Sequence, residues 1–172
     1  MCALKQFEFI ASTDLPNLTY LQFYETYGCI SLTYVLDGTT HEYELKEEDF
    51  DEDSFPLDDI TWIKNNLSKM TCLEKFEYIS EFDSEINFSF LVNKPETLTE
   101  LSISHIEGLD MEFLRGVKKL TLNAVFIEEE EMFLDLVKRL PSTLEVVEVT
   151  DIDDCMKELV KNTEMPYRLE TF

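Results

Sequence analysis

The sequence predicts an α/β fold, a short solenoid of parallel strands and helices with an irregular N-terminal β-hairpin cap. Three observations support this prediction: an apolar L-x-x-L-x-L motif recurs, stretches with helical spacing follow its later copies, and an Asp-Gly turn separates two strand-like stretches near the start. Each motif fits a short strand with alternate side chains buried. Units that can bury their apolar face only against neighbouring units stack into a solenoid.

The motif occurs five times with clear anchor residues. These anchors are Leu18, Leu21 and Phe23; Leu73, Phe76 and Tyr78; Leu98, Leu101 and Ile103; Val117, Leu120 and Leu122; and Leu144, Val147 and Val149. The last four copies begin 25, 19 and 27 residues apart, a spacing typical of strand–helix repeats. Thr40, Tyr43 and Leu45 fill the longer gap after the first copy as a degenerate motif. Weaker copies are expected at both ends, at Leu4, Phe7 and Phe9 and at Leu169 and Phe172.

Helices are predicted between the strands. Residues 128–140 give the clearest one, because acids open it, apolar residues recur at helical spacing, and Lys138 and Arg139 close it before Pro141. This order of charges complements the helix dipole. Weaker helical patterns lie at residues 56–70, 110–114 and 153–161.

The N-terminal third is less regular than the rest. Residues 20–37 and 39–45 read as a strand pair that turns at Asp37-Gly38, a dipeptide that favours tight hairpins. We therefore expect a single domain over residues 1–172. In it, residues 1–55 form an irregular cap with an acidic loop, and residues 56–172 form the more regular repeats.

These anchors resemble the leucine-rich-repeat family, in particular the repeat region of F-box/leucine-rich-repeat and ribonuclease-inhibitor-like proteins, over about residues 70–172. The resemblance implies parallel strands on a concave face and helices on a convex face. It also suggests an adaptor or substrate-recognition part of a ubiquitin-ligase-type assembly. Two departures are clear: the Asn or Cys that follows the family's motif is missing, since Asn123 is one residue out of register, and no F-box is seen.

The net charge of the chain limits the kinds of partner that it can bind. Fourteen Lys and Arg against 37 Asp and Glu give a net charge of −23, which disfavours nucleic acid and anionic membranes and suits a basic protein partner such as a histone. The four scattered cysteines are typical of a reducing compartment. The sequence has neither a signal-peptide pattern nor a run of about 18 apolar residues, so the expected location is cytoplasm or nucleus.

Catalytic and metal chemistry find little support in the sequence. Asp49, Asp51 and Asp53 match three calcium-loop positions, but Ser54 and Ile60 stand where such a loop needs Gly and a bidentate Glu. The two histidines, at positions 41 and 105, have no nucleophile or ligand set at a suitable spacing. We therefore expect no catalytic residue, metal or cofactor, and thus a protein that is not an enzyme. A small α/β enzyme with an unrecognised site remains the alternative class.

The residues that alternate with the anchors are the predicted partner-binding surface, because solenoids bind partners through their exposed sheet. The predicted partner-binding residues are Tyr20, Gln22, Tyr24, Lys75, Glu77, Glu100, Ser102, Lys119, Thr121 and Glu148. The sequence therefore predicts a non-enzymatic protein–protein interaction module that uses this sheet and the acidic loop. The alternatives are the ubiquitin-ligase adaptor and an acidic binder of basic proteins.

Overall fold

The computed structural model describes residues 17–26, 29–46, 66–81, 88–104, 110–123, 130–150, 152 and 154–171. In this part of the chain, one eight-stranded sheet has the order β3-β2-β1-β4-β5-β6-β7-β8. Its strands are β1 (Leu18–Thr26), β2 (Cys29–Leu36), β3 (Thr39–Lys46), β4 (Lys75–Ser80), β5 (Glu100–Ile103), β6 (Lys119–Asn123), β7 (Val146–Thr150) and β8 (Arg168–Thr171). The sheet is open, with β3 at one edge and β8 at the other.

The parallel part of the sheet consists of β1 and β4 to β8. The pairing register places the anchors of successive motifs side by side, as with Leu101, Leu120 and Val147. Every anchor of the five clear motifs is at most 2 % exposed. The predicted α/β class with parallel strands is therefore confirmed, and the L-x-x-L-x-L spacing marks the strands correctly.

The antiparallel part is a three-stranded meander of β1, β2 and β3. Asp37 and Gly38 both have positive φ, at 50° and 74°, which matches the type I′ turn that connects tightly paired strands. This confirms the predicted turn, but residues 20–37, which were predicted as one strand of the pair, form two strands, β1 and β2, that are antiparallel to each other. The pairing also shows that the reading of Thr40 and Tyr43 as a degenerate repeat is wrong. They lie on β3, which is antiparallel to β2 and separated from β4 by two strands, because alternating burial marks a strand without fixing its direction.

Helical segments connect the parallel strands. The 3₁₀ helices are Leu67–Lys69, Phe88–Asn93 and Met111–Leu114, and the α-helices are α1 (Glu130–Arg139) and α2 (Asp154–Lys161). The Asp110 carboxylate accepts the Glu112 N–H at 3.0 Å and caps one 3₁₀ helix, while Gly116 adopts φ 85° just after that helix. Both α-helices lie within a residue or two of their predicted bounds. Most of the helix predicted at 56–70 lies outside the described residues, as do Leu4, Phe7, Phe9, Phe172 and the aspartates of the acidic loop.

The core joins the anchor face of the sheet to the helical segments. Phe133 and Val137 of α1 are fully buried in the same apolar cluster as the anchors. Phe23 and Tyr78 stack at a centroid distance of 5.3 Å, and Phe88 meets Tyr78 edge-on at 6.5 Å. Each fully buried side chain of this size contributes about 1.5–3 kcal/mol. The anchor face therefore holds the fold together and leaves the opposite face of the sheet for other contacts.

No helix in the described ranges is both long enough and apolar enough to cross a membrane.

Candidate functional site

The outer face is the side of the sheet opposite the anchors, and the register gathers all ten predicted partner-binding residues there. The first row across the strands is Tyr20, Lys75, Glu100 and Lys119. The second row is Gln22, Glu77, Ser102, Thr121 and Glu148. Tyr24 lies beside Ile79 in a third row. Residues distant in sequence thus form one continuous surface, although this placement does not itself test their role in binding.

Glu77 organises the β1–β4 end of the outer face. Its carboxylate accepts the Tyr20 hydroxyl at 2.8 Å and pairs with the Lys75 ammonium at 2.6 Å. The Gln22 amide donates to the same carboxylate oxygen as Tyr20. The Lys75 nitrogen also lies 5.2 Å from the centre of the Tyr20 ring, within the range of a cation–π contact. Burial, and then the bond to Glu77, raise the pKa of Tyr20, so the phenol stays neutral and donates.

Glu148 plays the same part at the β6–β7 end. It pairs with the Lys119 ammonium at 2.7 Å and accepts the Thr121 hydroxyl at 3.0 Å. The bond to Glu148 raises the pKa of Lys119 although partial burial opposes this. Burial opposes ionisation of Glu148, but the bonds from Lys119 and Thr121 outweigh it, and the pKa of Glu148 is lowered. Both groups are therefore charged and mutually neutralised at pH 7.

The middle of the outer face carries short side chains between these two carboxylate clusters. Ser102 and Thr121 lie between Glu77 and Glu148 in the second row. Ser102 is only 7 % exposed. Glu100 lies in register between Lys75 and Lys119, so the first row alternates in charge.

Within β4 to β8 the charge of the outer face is nearly balanced. Along β4 to β8 it carries Lys75, Lys119 and Arg168 against Glu77, Glu100, Glu148 and Glu170, a net charge of −1 in a chain of −23. Arg168 and Glu170 pair at 2.9 Å. The acidic excess of the protein therefore lies mainly outside these five strands. On the outer face itself, Glu81 follows the end of β4, and β3 contributes the exposed Glu42 and Glu44 at the far edge.

A buried polar cluster, which the sequence did not reveal, joins the carboxyl ends of β1 and β4. Glu25 faces the anchor side and is 8 % exposed. Its carboxylate accepts the Ser80 hydroxyl at 3.1 Å and lies 3.5 Å from the Tyr78 hydroxyl. The Ser80 N–H in turn donates to the Ser104 hydroxyl at 2.9 Å. Burial, and then the Glu25 charge, raise the pKa of Tyr78. The sequence signal for this cluster was an acidic residue, Glu25, at a strand position that faces the core. Its hydrogen-bond partners could not be read from the sequence, because they depend on which residues of β1 and β4 lie side by side.

Other chemistry-bearing side chains do not assemble into a site in the described ranges. No group of three or more His, Cys, Asp or Glu residues there could hold a metal ion. His41 stacks on Tyr34 at 4.8 Å, and Cys72 is exposed. His105 lies outside the described residues.

A surface groove of about 500 Å³ lies beside the 3₁₀ helices, away from the outer face. Its lining combines Lys94 and Arg115 with Glu96 and Glu112, next to the exposed Val92. Burial, and then the nearby Arg115, lower the pKa of Lys94. Because the two cations are matched by two carboxylates, the charge of this groove selects no class of ligand.

Comparisons of the chain with protein-family models, curated proteins and solved structures give no significant match.

Proposed function

We propose that this chain is a non-enzymatic protein–protein interaction module that binds a protein partner through the outer face of its sheet. In this proposal the sheet curves as in leucine-rich-repeat solenoids, with the outer face concave and the helices on the convex side. The parallel register and the repeated anchors support that arrangement. The proposed location is the cytoplasm or nucleus.

The observation that carries the proposal is the paired charge of the outer face. Charged groups must lose water when a partner covers them, and an unpaired charge makes that costly. On this face Glu77 and Glu148 already have cationic and hydroxyl partners at 2.6–3.0 Å. The cores of protein interfaces are depleted in charged residues, which agrees with this cost. A surface prepared in this way can be covered by a protein at lower cost than the acidic remainder of the molecule.

The β1–β4 end supplies the apolar contact that such an interface needs. Tyr20, Tyr24 and Ile79 are partly exposed on neighbouring strands. Tyrosine is enriched among residues that dominate binding energy, because it buries a large ring and keeps a polar tip. We therefore place the centre of the interface at this end, with the Lys119–Glu148 pair towards its rim.

The acidity of the chain favours a second candidate, binding of a basic protein by charge alone. The net charge of −23 supports this, and Glu42 and Glu44 belong to its most acidic stretch, residues 42–59. The two candidates differ in salt dependence. Exposed ion pairs are strongly screened at ~0.5 M salt, whereas burial of apolar surface is not.

The test compares partner capture from a lysate of the native cell by wild-type protein and by Lys75→Glu, Lys119→Glu and Thr121→Arg. Lys138→Glu is the matched control, because Lys138 is exposed on α1 and lies off the outer face. We expect each outer-face variant to capture about tenfold less of the partner that mass spectrometry identifies with the wild-type protein, and we expect the control to capture the same amount as wild type. Thermal unfolding confirms that each variant is folded. Equal capture by all variants contradicts the proposal, and capture that disappears at ~0.5 M salt supports the charge-only candidate.

A further inference from the structure

Lys94 lines the surface groove of about 500 Å³ and is half-buried there. It directly follows the 3₁₀ helix Phe88–Asn93, and its N–H donates to the Leu91 carbonyl at 3.1 Å. The buried Pro95 comes next, and helices usually end at the residue before a proline. The backbone of Lys94 is therefore fixed at the end of this helix, where its side chain forms part of the groove wall.

Arg115 brings a second cation to the same groove. It directly follows the next 3₁₀ helix, Met111–Leu114, and its N–H donates to the Glu112 carbonyl at 3.2 Å. The positive charge of Arg115 is close enough to act on the ammonium group of Lys94. Two successive 3₁₀ helices thus end with cations that share one groove.

Lys94 lacks the carboxylate partner that a half-buried lysine usually has. Within the described ranges its ammonium group takes part in neither an ion pair nor a hydrogen bond, although Glu96 and Glu112 line the same groove. Lys119 is also half-buried, but it pairs with Glu148 at 2.7 Å. Burial disfavours the charged form of a lysine, and a nearby carboxylate compensates for this. The compensation is present at Lys119 and absent at Lys94.

The pKa values of the two lysines move in opposite directions. Burial, and then the charge of Arg115, lower the pKa of Lys94, whereas the bond to Glu148 raises the pKa of Lys119. A larger fraction of Lys94 is therefore the neutral amine, the form whose nitrogen lone pair can attack an electrophile. Loss of hydration and a neighbouring cation are two ways in which proteins activate a lysine as a nucleophile.

The groove also has an apolar wall and the size of a small-molecule site. Val92 is 59 % exposed and lines the groove together with Pro95. Sites for small molecules typically have volumes of about 300–1,000 Å³ and are lined mainly by apolar groups. The balanced charges of the groove do not select a ligand, but an amine beside apolar surface selects an apolar molecule with an electrophilic carbon.

We propose that Lys94 reversibly attaches a small apolar aldehyde or ketone that enters this groove. The Lys94 nitrogen attacks the carbonyl carbon and forms a C–N bond. The carbonyl oxygen then leaves as water with both hydrogens of the neutral amine, and a C=N bond remains. The step needs neither an oxidant nor a reductant, and water reverses it. The inference goes beyond the proposed function, because the groove lies away from the outer face.

The first test compares the rates at which individual lysines of the full chain react with benzaldehyde. Sodium cyanoborohydride reduces each C=N bond to a stable amine, and mass spectrometry of the digested protein quantifies the product at every lysine. At pH 8 we expect Lys94 to react about tenfold faster than Lys119, because the fraction of free amine depends on the pKa. Lys94 should also react faster than Lys138, which is exposed on α1.

The second test separates binding in the groove from the reactivity of the amine. Formaldehyde carries no apolar group, so its reaction reports the amine alone. The Lys94-to-Lys138 rate ratio should be about threefold higher with benzaldehyde than with formaldehyde. Val92→Ser should remove this difference and leave the reaction with formaldehyde unchanged, because the exposed Val92 contributes apolar surface and no charge.

Two further variants test the cause of the reactivity and its independence from the outer face. Arg115→Gln removes the neighbouring charge and should slow labelling of Lys94 about twofold with both aldehydes, whereas Arg115→Lys should preserve the rate. Lys75→Glu lies on the outer face and should leave Lys94 labelling unchanged, so failure of this inference is distinct from failure of the outer-face proposal. Thermal unfolding confirms that each variant is folded.

Three results overturn the inference. Labelling of Lys94 no faster than that of Lys119 shows that the amine is not activated. Equal Lys94-to-Lys138 ratios with the two aldehydes show that the groove does not bind the apolar group. An unchanged rate in Arg115→Gln contradicts activation of Lys94 by the neighbouring cation.

Discussion

Two tyrosine–glutamate pairs between β1 and the β4 region of the outer face provide a controlled measure of what the surface network contributes. Tyr20 donates to Glu77 at 2.8 Å, and Tyr24 donates to Glu81 at the same distance. The first pair is partly buried, with Glu77 only 12 % exposed, whereas the second is exposed. The chemistry and the distance are matched, so burial and the surrounding partners are the main differences.

The structure predicts unequal coupling energies for the two pairs. A hydrogen bond to a charged group contributes about 1.5–3 kcal/mol when it is protected from water. Partial exposure reduces this to about 1 kcal/mol for Tyr20 and Glu77. The exposed Tyr24–Glu81 bond competes with water throughout and should contribute about 0–0.5 kcal/mol.

Double-mutant cycles in urea measure these energies. One cycle combines Tyr20→Phe with Glu77→Ala, and the other combines Tyr24→Phe with Glu81→Ala, each evaluated from the free energy of unfolding; alanine is used because glutamine would still accept the tyrosine hydroxyl. Equal coupling in the two cycles, or stronger coupling between Tyr24 and Glu81, would refute the view that the β1–β4 end of the outer face is a preformed network.

Three further predictions concern the core, the turn and the pH dependence. Leu120→Ala should lower the free energy of unfolding by about 2–5 kcal/mol, because Leu120 is fully buried on the anchor face. A decrease of less than about 1 kcal/mol in the free energy of unfolding, measured in urea, would argue against that packing. Gly38→Ala should cost about 1–2 kcal/mol because φ is 74° there, although no neighbouring atom obstructs the added methyl group; an unchanged urea midpoint would exclude the positive φ. Folding lowers the pKa of the Glu148 carboxyl, so as the pH falls this carboxyl is protonated in the unfolded chain before it is protonated in the folded protein. The ionised carboxylate therefore stabilises the fold at pH values above its ordinary pKa of 4.5. This stabilisation is lost as the pH falls through the pKa of the folded state. Wild type should therefore lose more stability than Glu148→Gln as the pH drops below about 4.5, and parallel losses would contradict the ion pair.

The sequence predicted what depends on local periodicity. The anchors at Leu101, Leu120 and Val147 follow from alternate burial, and the β2–β3 turn follows from the positive φ that Asp37-Gly38 readily adopts. The helices 130–139 and 154–161 follow from apolar spacing and terminal charges.

What the sequence left open depends on long-range pairing. Tyr43 lies on an antiparallel strand and not on a parallel repeat strand. The sequence could not distinguish the two, because an alternating pattern of burial looks alike in parallel and antiparallel strands. The 3₁₀ helix Phe88–Asn93 was not predicted, because its alternating buried residues Phe88 and Phe90 resemble a strand. The Tyr20–Glu77 bond joins residues 57 positions apart, so no local pattern could reveal it.

The most direct measurement of the central claim is site-specific photocrosslinking to the captured partner. A photoreactive residue at Thr121 lies on the outer face beside Glu148, and one at Lys138 lies on α1. We predict that the Thr121 probe crosslinks the partner and the Lys138 probe does not. A crosslink from Lys138 with none from Thr121 would contradict the account.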